Sequence, residues 1–231
     1  MKPTVVSLIG PYGSSPNTAP LDRKPSSQPL FRAAKILLDL IGAASLILVL
    51  SPLLLAIAVL VKLDGGPVLY AHPRVGMRKR RFHCLKFRSM KHDSAALLEH
   101  VLNTDAVAAI EWGATRKLRN DPRVTRIGAF LRKTSLDELP QLFNVLRLEM
   151  SLVGPRPIVD EEIGYYGNDV AYYYATRPGL TGLWQVNGRS STTYGQRVQL
   201  DKRYVEHWTL WQDIVILAET VPAVLKRTGA V

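Results

Sequence analysis

Cysteine is almost absent from this sequence of 231 residues, in which Cys84 is the only one. An intrachain disulfide is therefore excluded, and the lack of a Cys-x-x-Cys pair or of close His/Cys pairs gives no indication of a zinc site. Two standard nucleotide fingerprints, GxxxxGK(S/T) and GxGxxG, are missing as well. Neither of the two common nucleotide-binding folds is therefore indicated.

Negative charge is also scarce, because 30 Lys and Arg stand against 19 Asp and Glu, a net charge of +11. Such an excess points to a polyanionic partner, which can be nucleic acid, anionic lipid or a phosphorylated substrate. Nucleic acid is the weakest of these, since the basic residues are spread along the chain and no known binding module occurs. We therefore expect no nucleic-acid partner. The length is sufficient for one domain with a core.

Apolar side chains are sparse at the start of the chain, where proline, serine, glycine and asparagine dominate. Residues 1–30 are predicted to form a disordered tail, because little in them could build a core. The early apolar run VVSLIG is too short and wrongly flanked for a secretory signal.

Charge is missing altogether from residues 40–61, which read LIGAASLILVLSPLLLAIAVLV. About twenty such residues can cross a hydrocarbon core of about 30 Å, so this stretch predicts a membrane-embedded helix. Pro52 follows Ser51 near its midpoint, removes a backbone donor and is expected to kink the helix. Ser51 can satisfy a freed backbone group locally. Each half is then too short to span alone.

Basic residues flank this stretch on both sides, so the positive-inside rule selects no orientation for a single span. They are Arg23, Lys24, Arg32 and Lys35 before it, and Lys62, Arg74, Arg78, Lys79, Arg80 and Arg81 after it. A re-entrant helix over residues 31–63, entering and leaving on the cytoplasmic face, satisfies both flanks. The alternative is one kinked span with the N-terminal tail outside. Asp39, near the entry, can pair with Arg32 or Lys35.

Residues 64–231 are predicted to form a cytoplasmic catalytic domain of the α/β class, mainly helical. Strand-like residues 68–71 and 82–87 predict a small β-hairpin with a basic turn at 76–81. Helical spacing occurs over residues 94–110, and the aromatic stretch 160–174 and the amphipathic stretch 211–227 are expected to be helices at the membrane or protein surface. The fold expected is a monotopic membrane protein with amphipathic interface helices.

Two adjacent carboxylates, Asp137 and Glu138, lie in the stretch SLDELPQLFNVL (135–146). Ser135 and Glu138 match a capping box, but that frame puts Pro140 at the fifth helical position, where its N–H would be needed. With Asp137 as N-cap, Pro140 falls where the donor is unpaired anyway. This second frame is favoured, and the helix dipole would keep both carboxylates ionised.

Basic residues surround this acidic pair, namely Arg123, Arg126, Arg132 and Lys133 before it and Arg156 after it. A helix cap does not require so many cations. A phosphoryl-transfer site does, because it needs an ionised carboxylate as nucleophile or metal ligand and cations that neutralise phosphoryl oxygens.

Several long motifs occur in order over residues 32–220: SPLLLAIA, GGPVLYAHPRVG, FHCLKFRSM, DPRVTRIGAFLRKTSLDELPQLFNVL, MSLVGPRP and RPGLTGLWQVNGR. With them the chain resembles the bacterial sugar transferase family, the monotopic polyprenyl-phosphate sugar-1-phosphate transferases. It is most similar to the short undecaprenyl-phosphate galactose or glucose phosphotransferases of exopolysaccharide synthesis. One departure is Arg147-Leu148-Glu149, where the family commonly has a glycine before the acid.

The resemblance implies an enzyme that moves a hexose-1-phosphate from a UDP-hexose to undecaprenyl phosphate and releases UMP, with Mg²⁺ required. Asp137 matches the nucleophile that forms a covalent phosphosugar intermediate, and Glu138 matches its partner, which binds the metal or handles a proton. Both are therefore predicted catalytic residues and metal ligands. The alternative function is a non-catalytic basic membrane-surface adaptor.

The resemblance also implies substrate contacts and a location. The Ser51-Pro52 pair would break the re-entrant helix. The expected location is the cytoplasmic face of the bacterial inner membrane, in contact with lipid and with possible downstream glycosyltransferases. The residues predicted to bind substrate or phosphate are Lys86, Arg88, Arg126, Arg132, Gln141 and Arg156.

Overall fold

The apolar stretch forms a single long helix, α1 (Pro29–Leu63), in the computed structural model of the chain. The structure describes residues 29–115, 118–188 and 192–225. The disordered tail predicted for residues 1–30 lies outside them, apart from its last two residues. Within the described ranges α1 is the one helix whose length and apolar composition would allow it to cross a membrane.

The Ser51-Pro52 pair lies inside α1, which continues through it without interruption. The Ser51 hydroxyl donates a hydrogen bond of 2.8 Å to the carbonyl of Leu48, the group to which the missing N–H of Pro52 would have donated. The expectation that Ser51 satisfies this freed backbone group is confirmed. The break and the re-entry remain predictions.

The predicted basic hairpin is present as strands β1 (Leu69–Val75) and β2 (Arg81–Phe87). They pair antiparallel, with Leu69 opposite Phe87 and Val75 opposite Arg81. The connecting turn places Arg78 and Lys79 at φ values of 56° and 62°, a left-handed backbone conformation that residues other than glycine rarely adopt. The turn therefore presents its basic side chains at the tip of the hairpin.

The helix predicted over residues 94–110 is two helices, α2 (Ser94–Thr104) and α3 (Ala106–Thr115). Asp105 separates them, because its carboxylate accepts hydrogen bonds from the backbone N–H groups of Val107 and Ala108 at 2.9 and 3.0 Å. This is the geometry of a helix N-cap. Helix α3 exposes Val107 and Ile110 at 75% and 74%, and the presence of interface helices stays a prediction.

The prediction that Asp137 caps the helix in SLDELPQLFNVL is wrong, and the alternative capping box of Ser135 and Glu138 is not formed either. Helix α4 (Arg126–Thr134) already ends at Ser135, whose left-handed conformation (φ 58°) turns the chain, and Ser135 makes no side-chain cap. The acidic pair instead lies in a tight 3₁₀ turn, Leu136–Glu138. Pro140 then precedes the first residue of α5 (Gln141–Leu146), a position its fixed φ suits. The preceding basic segment forms a helix of its own, which the sequence reasoning missed.

Two short parallel strands, β3 (Ser151–Val153) and β4 (Gly179–Thr181), lie beneath the loop that holds Arg156. Ser151 pairs with Gly179 and Val153 with Thr181. A side chain at Gly179 would meet the backbone of Gly154 at 2.1 Å, so glycine is required for this close approach.

The C-terminal third is helical but more broken than predicted. Residues 160–174 give two short helices, α6 (Ile163–Tyr166) and α7 (Val170–Tyr174), separated by a 3₁₀ turn at Gly167 that has a positive φ. Three further helices follow: α8 (Leu183–Val186), α9 (Tyr194–Glu206) and α10 (Leu210–Leu225). Helix α10 packs on the protein, since Asp213 and Ile216 are fully buried.

The main core joins α1 to the rest of the molecule. Its buried members come from α1, β2, α5, β3, α8, α9 and α10, and include Ala43, Leu142, Leu152, Tyr204 and Ile216. A smaller core packs the other half of α1 against the domain through Ile57, Val61, Phe87 and Leu131. Both halves of α1 therefore contact the same body, while large apolar side chains between and around these contacts are exposed.

A buried ionic network fixes the first half of α1. The ammonium of Lys35 lies 3.0 Å from the carboxylate of Asp39 and 2.8 Å from that of Asp213 on α10. Asp39 also accepts hydrogen bonds of 3.0 Å from the Ser151 hydroxyl and the Leu152 N–H of β3. The predicted pairing of Asp39 with Lys35 is thus confirmed, and it attaches α1 to the strand that leads to Arg156.

Candidate active site

A small cavity that opens to solvent lies between strand β2, the acidic turn and the loop after β3. Four of the predicted site residues line it together: Lys86, Glu138, Gln141 and Arg156. These residues are distant in the sequence, so the cavity exists only in the folded chain. Its remaining lining residues are Arg74, Cys84, Pro157, Gly179, Leu180 and Gln185.

The 3₁₀ turn after α4 places Asp137 and Glu138 in different surroundings. Asp137 is 8% exposed, whereas the Glu138 side chain is partly exposed and lines the cavity. Neither carboxylate caps a helix, because no side-chain cap hydrogen bond occurs at this turn. Both carboxylates are thus available to other groups.

Lys86 links the two carboxylates from strand β2. Its ammonium donates to the Glu138 carboxylate at 2.7 Å and lies 3.9 Å from the nearer oxygen of Asp137. The buried Asn144 of α5 fixes this strand, since its amide donates 2.8 Å to the His83 carbonyl and its oxygen accepts 3.0 Å from the Leu85 N–H. Asn144 therefore fixes the backbone of β2 immediately before Lys86.

The environment of Asp137 raises its pKa to about 6. Burial is the largest cause, because it disfavours the charged form, and the neighbouring Glu138 charge adds to it. Lys86 and Arg132 act in the opposite direction. At neutral pH Asp137 is thus mostly ionised, although its charge is poorly compensated.

Glu138 has the opposite balance. Desolvation would raise its pKa, but the combined charges of Lys86, Arg156 and Arg74 and the hydrogen bond from Lys86 hold the pKa below its usual range. Glu138 is therefore the more firmly ionised of the two carboxylates. An acidic pair whose members differ in this way is typical of sites that divide two roles between two carboxylates.

Arg156 lies at the cavity in the loop GPRP, which neighbouring groups hold in place. The guanidinium of Arg74 donates 3.1 Å to the Pro157 carbonyl, and the Val75 N–H donates 2.9 Å to the Ile158 carbonyl. Arg156 itself is exposed, with its guanidinium carbon 5.8 Å from the centre of the Trp184 ring. A fixed backbone with an exposed guanidinium suits the binding of phosphate.

Two more residues that line the cavity, Gln141 and Cys84, are buried. Gln141, the first residue of α5, is buried and turns towards the cavity. Cys84 is buried, and burial raises the pKa of its thiol to about 11, so it is a neutral group rather than a nucleophile.

Four predicted residues are not among those that line the cavity, namely Asp137, which lies behind Lys86 and Glu138, and three arginines. Arg88 is buried beneath the end of α1, where it donates 2.9 Å to the Val61 carbonyl. Arg126 is exposed at the first turn of α4. Arg132 donates 2.8 Å to the Ser89 hydroxyl and acts on Asp137 through its charge. Arg88 thus contacts α1 rather than the cavity, and its role in binding substrate stays a prediction.

Arg74 and Gln185 line the cavity but were not predicted as site residues. Both occur in quoted motifs, GGPVLYAHPRVG and RPGLTGLWQVNGR, so the motifs signalled them without assigning a role. The last residue of the second motif, Arg189, lies outside the described residues. Leu148 is a further finding, since its φ of 58° is the left-handed conformation that glycine favours. Leucine thus adopts that backbone at the position where the motif departs from the family.

No group of three or more His, Cys, Asp or Glu side chains suited to a metal occurs within residues 29–115, 118–188 and 192–225. Asp137 and Glu138 provide two carboxylates beside an open cavity. This fits the way Mg²⁺ binds in many phosphoryl-transfer sites, through one or two protein carboxylates with substrate phosphates and water completing its shell.

The model of one protein family, described as bacterial sugar transferase, matches residues 30–227. The chain is 55% identical over 199 residues to a UDP-galactose-lipid carrier transferase of Erwinia amylovora. It is 50% identical over 199 residues to an undecaprenyl-phosphate galactose phosphotransferase of Salmonella typhimurium. These matches cover 86% of this chain but only 42% of either relative.

A shorter relative matches over nearly its whole length. The exopolysaccharide production protein ExoY of Rhizobium meliloti is 48% identical over 204 residues, which is 88% of this chain and 90% of that protein.

Proposed function

This chain belongs to the bacterial sugar transferase family, and we propose that it is a polyprenyl-phosphate sugar-1-phosphate transferase. The proposed reaction moves a hexose-1-phosphate from a UDP-hexose to undecaprenyl phosphate and releases UMP, as the first membrane step of exopolysaccharide synthesis. The names of the relatives support it, since they include UDP-galactose, undecaprenyl phosphate and exopolysaccharide production. UDP-galactose and UDP-glucose are the donors to be compared.

One observation supports this function most directly, namely the poorly compensated carboxylate of Asp137 next to a cation-lined cavity. Lys86 lies within reach of both carboxylates, and Arg156 lies at the same cavity. A nucleophile for phosphorus must be ionised yet weakly solvated, and the oxygens of the attacked phosphate need fixed cations. The cavity offers both conditions.

In the proposed first step a carboxylate oxygen of Asp137 attacks the phosphorus that bears the sugar. A bond forms between that oxygen and phosphorus, while the bond to the oxygen between the two phosphates breaks and UMP leaves with the electron pair. Lys86 neutralises charge on the oxygens of the attacked phosphate, and Arg156 contributes its positive charge at the same cavity. The product is an acyl phosphate that joins Asp137 to the hexose-1-phosphate.

In the second step an oxygen of undecaprenyl phosphate attacks the same phosphorus. The bond to Asp137 breaks, its carboxylate is regenerated, and a diphosphate joins the hexose to the lipid. Glu138, ionised and bonded to Lys86, holds that ammonium next to the reacting group in both steps.

Mg²⁺ would be held by Glu138 and Asp137 together with substrate phosphates. When bound it supplies positive charge that offsets the charge on the phosphate oxygens. Removal of Mg²⁺ with a chelator is therefore expected to stop UMP release, and added Mg²⁺ is expected to restore it.

The contacts of α1 support a monotopic attachment rather than a straight span. The catalytic body packs on α1 from Asp39 to Val61, which is roughly 33 Å along a helix that rises 1.5 Å per residue. A helix that crossed a core of about 30 Å would pull this charged body into the lipid. We therefore favour a re-entrant helix bent at Ser51-Pro52, with the catalytic domain on the cytoplasmic face of the inner membrane, where its product can pass to further glycosyltransferases.

The test is UMP release by purified protein in detergent across a panel of UDP-sugars, with and without undecaprenyl phosphate. The proposal predicts release with at least one UDP-hexose, and continued turnover only when the lipid phosphate is present. An adaptor that binds anionic membranes would release no UMP with any donor and would bind liposomes in a salt-dependent way. That outcome would replace the proposal with the adaptor function.

A further inference from the structure

Two arginines lie against one tryptophan at the edge of the cavity. Trp184 in α8 is 4% exposed, and the guanidinium carbons of Arg197 and Arg156 lie 4.6 and 5.8 Å from the centre of its ring. Arg156 comes from the loop after β3 and Arg197 from α9, so two separate elements bring their cations to the same indole.

A single arginine over an aromatic ring is an ordinary packing contact. Two on one ring are different, because like charges held close together repel each other. Among the described residues neither guanidinium forms an ion pair with a carboxylate. The ring therefore gathers positive charge that no described anionic side chain offsets at close range.

The nearby polar groups leave Arg197 available. Its Nε makes one long hydrogen bond of 3.4 Å to the Thr192 hydroxyl. The buried carboxylate of Asp201 is influenced by the charge of Arg197, but one of its oxygens already accepts a hydrogen bond of 2.7 Å from the Tyr166 hydroxyl. Most of the donors of the Arg197 guanidinium can thus contact another anion.

This pair of arginines continues the row of cations that begins at the acidic turn. Lys86 lies next to Asp137, and Arg156 lines the same cavity. Trp184 is adjacent to Gln185, another lining residue. Arg197 is thus connected to the cavity through the Trp184 ring that it shares with Arg156.

We propose that Arg197, together with Arg156 on the same Trp184 ring, binds the phosphate of the leaving nucleotide. This inference rests on the proposed function, because a nucleoside diphosphate sugar has two phosphates in a row. Lys86 serves the phosphate that is attacked, and the arginine pair serves the one that departs with the nucleoside. The planar guanidinium, with its fork of donors, suits a terminal phosphate.

The experiment compares Arg197→Met and Arg197→Lys with Lys202→Met. Methionine retains an apolar stem against Trp184 and removes the charge. Lys202 is a matched control, since it lies on the same helix, carries the same charge and also stacks on a ring, that of Tyr172, but pairs with Asp169 at 2.8 Å.

For Arg197→Met we expect the KM for the UDP-sugar and the inhibition constant of UMP to rise about tenfold or more, with a smaller change in kcat. Inhibition by uridine, which has no phosphate, should stay unchanged. Arg197→Lys should recover part of the UMP affinity, and Lys202→Met should match the unaltered protein. A UMP inhibition constant within about twofold of the unaltered value in Arg197→Met, or an equal loss for uridine, would overturn the proposal.

Equilibrium binding of UMP, measured by titration calorimetry without any donor, separates this inference from the transferase proposal. Binding of UMP that depends on Arg197 in a protein that turns over no UDP-sugar would refute the transferase and support the phosphate site. Turnover of a UDP-sugar, combined with UMP binding that does not depend on Arg197, would support the transferase and refute the phosphate site. Thermal unfolding of each variant in detergent checks that the protein still folds around Trp184. If Arg197→Met does not fold, the UMP affinity of Arg197→Lys is the measurement that tests the proposal.

Discussion

Two lysines in this molecule each lie between two carboxylates, Lys35 at the membrane helix and Lys86 at the cavity. Lys35 contacts both of its partners closely, at 3.0 and 2.8 Å. Lys86 contacts one partner at 2.7 Å and the other only at 3.9 Å. An ammonium thus contacts both of its carboxylates at Lys35, which we call the closed network. At Lys86 the ammonium contacts only one of its two carboxylates closely, which we call the incomplete network.

The network around Lys35 is completed by neutral donors. The carboxylate of Asp213 accepts hydrogen bonds from the Tyr204 hydroxyl at 2.8 Å and from the Trp208 indole at 3.1 Å. Asp39 receives donors from β3. A buried charge cluster with this many partners holds α1, β3 and α10 in register.

Among the described residues the network around Lys86 has fewer such donors, and it opens to a cavity. Asp137 therefore keeps a charge that is costly where it lies, and its raised pKa reflects this cost. The difference teaches that burial and charge alone do not mark an active site. What distinguishes Asp137 is that its neighbours Lys86 and Glu138 line a cavity that is open to a ligand.

The largest expected effect is on activity when Asp137 is changed to Asn. We expect a loss of at least about a thousandfold in UMP release, because the attacking oxygen is removed. Thermal unfolding at neutral pH should shift upwards, since a charge that is costly to bury is lost. Retention of more than about a tenth of the activity would refute the role of Asp137.

The matching change in the closed network is Asp213→Asn, which should act on stability. Removal of one partner from a buried ion pair costs about 3–5 kcal/mol, and here it leaves the Lys35 ammonium with a single carboxylate. The measurement is the unfolding midpoint in detergent. A midpoint equal to that of the unaltered protein would show that the two networks do not differ as described.

Lys86→Met is expected to lower kcat/KM about a hundredfold, because a fixed cation next to the attacked phosphate is lost. Lys86 also lowers the pKa of Asp137, so its removal should raise that pKa further and move the acid limb of the pH profile upwards. An unchanged acid limb would argue that Lys86 does not act on Asp137. Arg81→Gln, which alters an exposed pair with Asp160, is the control.

The pH dependence of stability gives a sharper comparison in metal-chelated buffer. The pKa of Asp137 is raised to about 6 in the folded protein, above the value of about 3.9 for an unfolded Asp. The folded state therefore binds the proton more tightly, and its stability relative to Asp137→Asn should increase by about 1–3 kcal/mol as the pH falls from 7 to 4. If the difference in stability between the unaltered protein and Asp137→Asn does not change with pH, burial does not raise the pKa of Asp137.

Tyr204→Phe should give the smallest effect. The change removes hydrogen bonds of 2.8 Å to Asp213 and 3.0 Å to the Val153 carbonyl, at a cost of about 1–2 kcal/mol. UMP release at a permissive temperature should be unaffected, because the cavity is not touched. Loss of activity without loss of stability would connect the closed network to catalysis directly.

Much of the fold could be predicted because its signals are local. The uncharged run gave the long helix, and alternating residues around a basic turn gave the β-hairpin. Asp137 and Glu138 could be singled out because the arginines around them are near in sequence and exceed what a helix cap requires.

The parts that could not be predicted depend on distant or conformational features. The pairing of Lys86 with Glu138, and of Lys35 with Asp213, joins residues far apart in the chain. The frame of the acidic turn depends on the left-handed backbone of Ser135, which helix propensity does not indicate. Arg88 was assigned to the cavity by its motif, whereas its side chain binds the end of α1.

The covalent step is tested most directly by adding a UDP-hexose and Mg²⁺ to the protein without undecaprenyl phosphate. A nucleophilic Asp137 predicts a burst of about one UMP per active protein. It also predicts a hexose-phosphate mass shift on the peptide that contains Asp137, absent from Asp137→Asn. Rapid turnover with the lipid phosphate, but neither a burst nor a mass shift without it, would show direct transfer and contradict a covalent intermediate on this carboxylate.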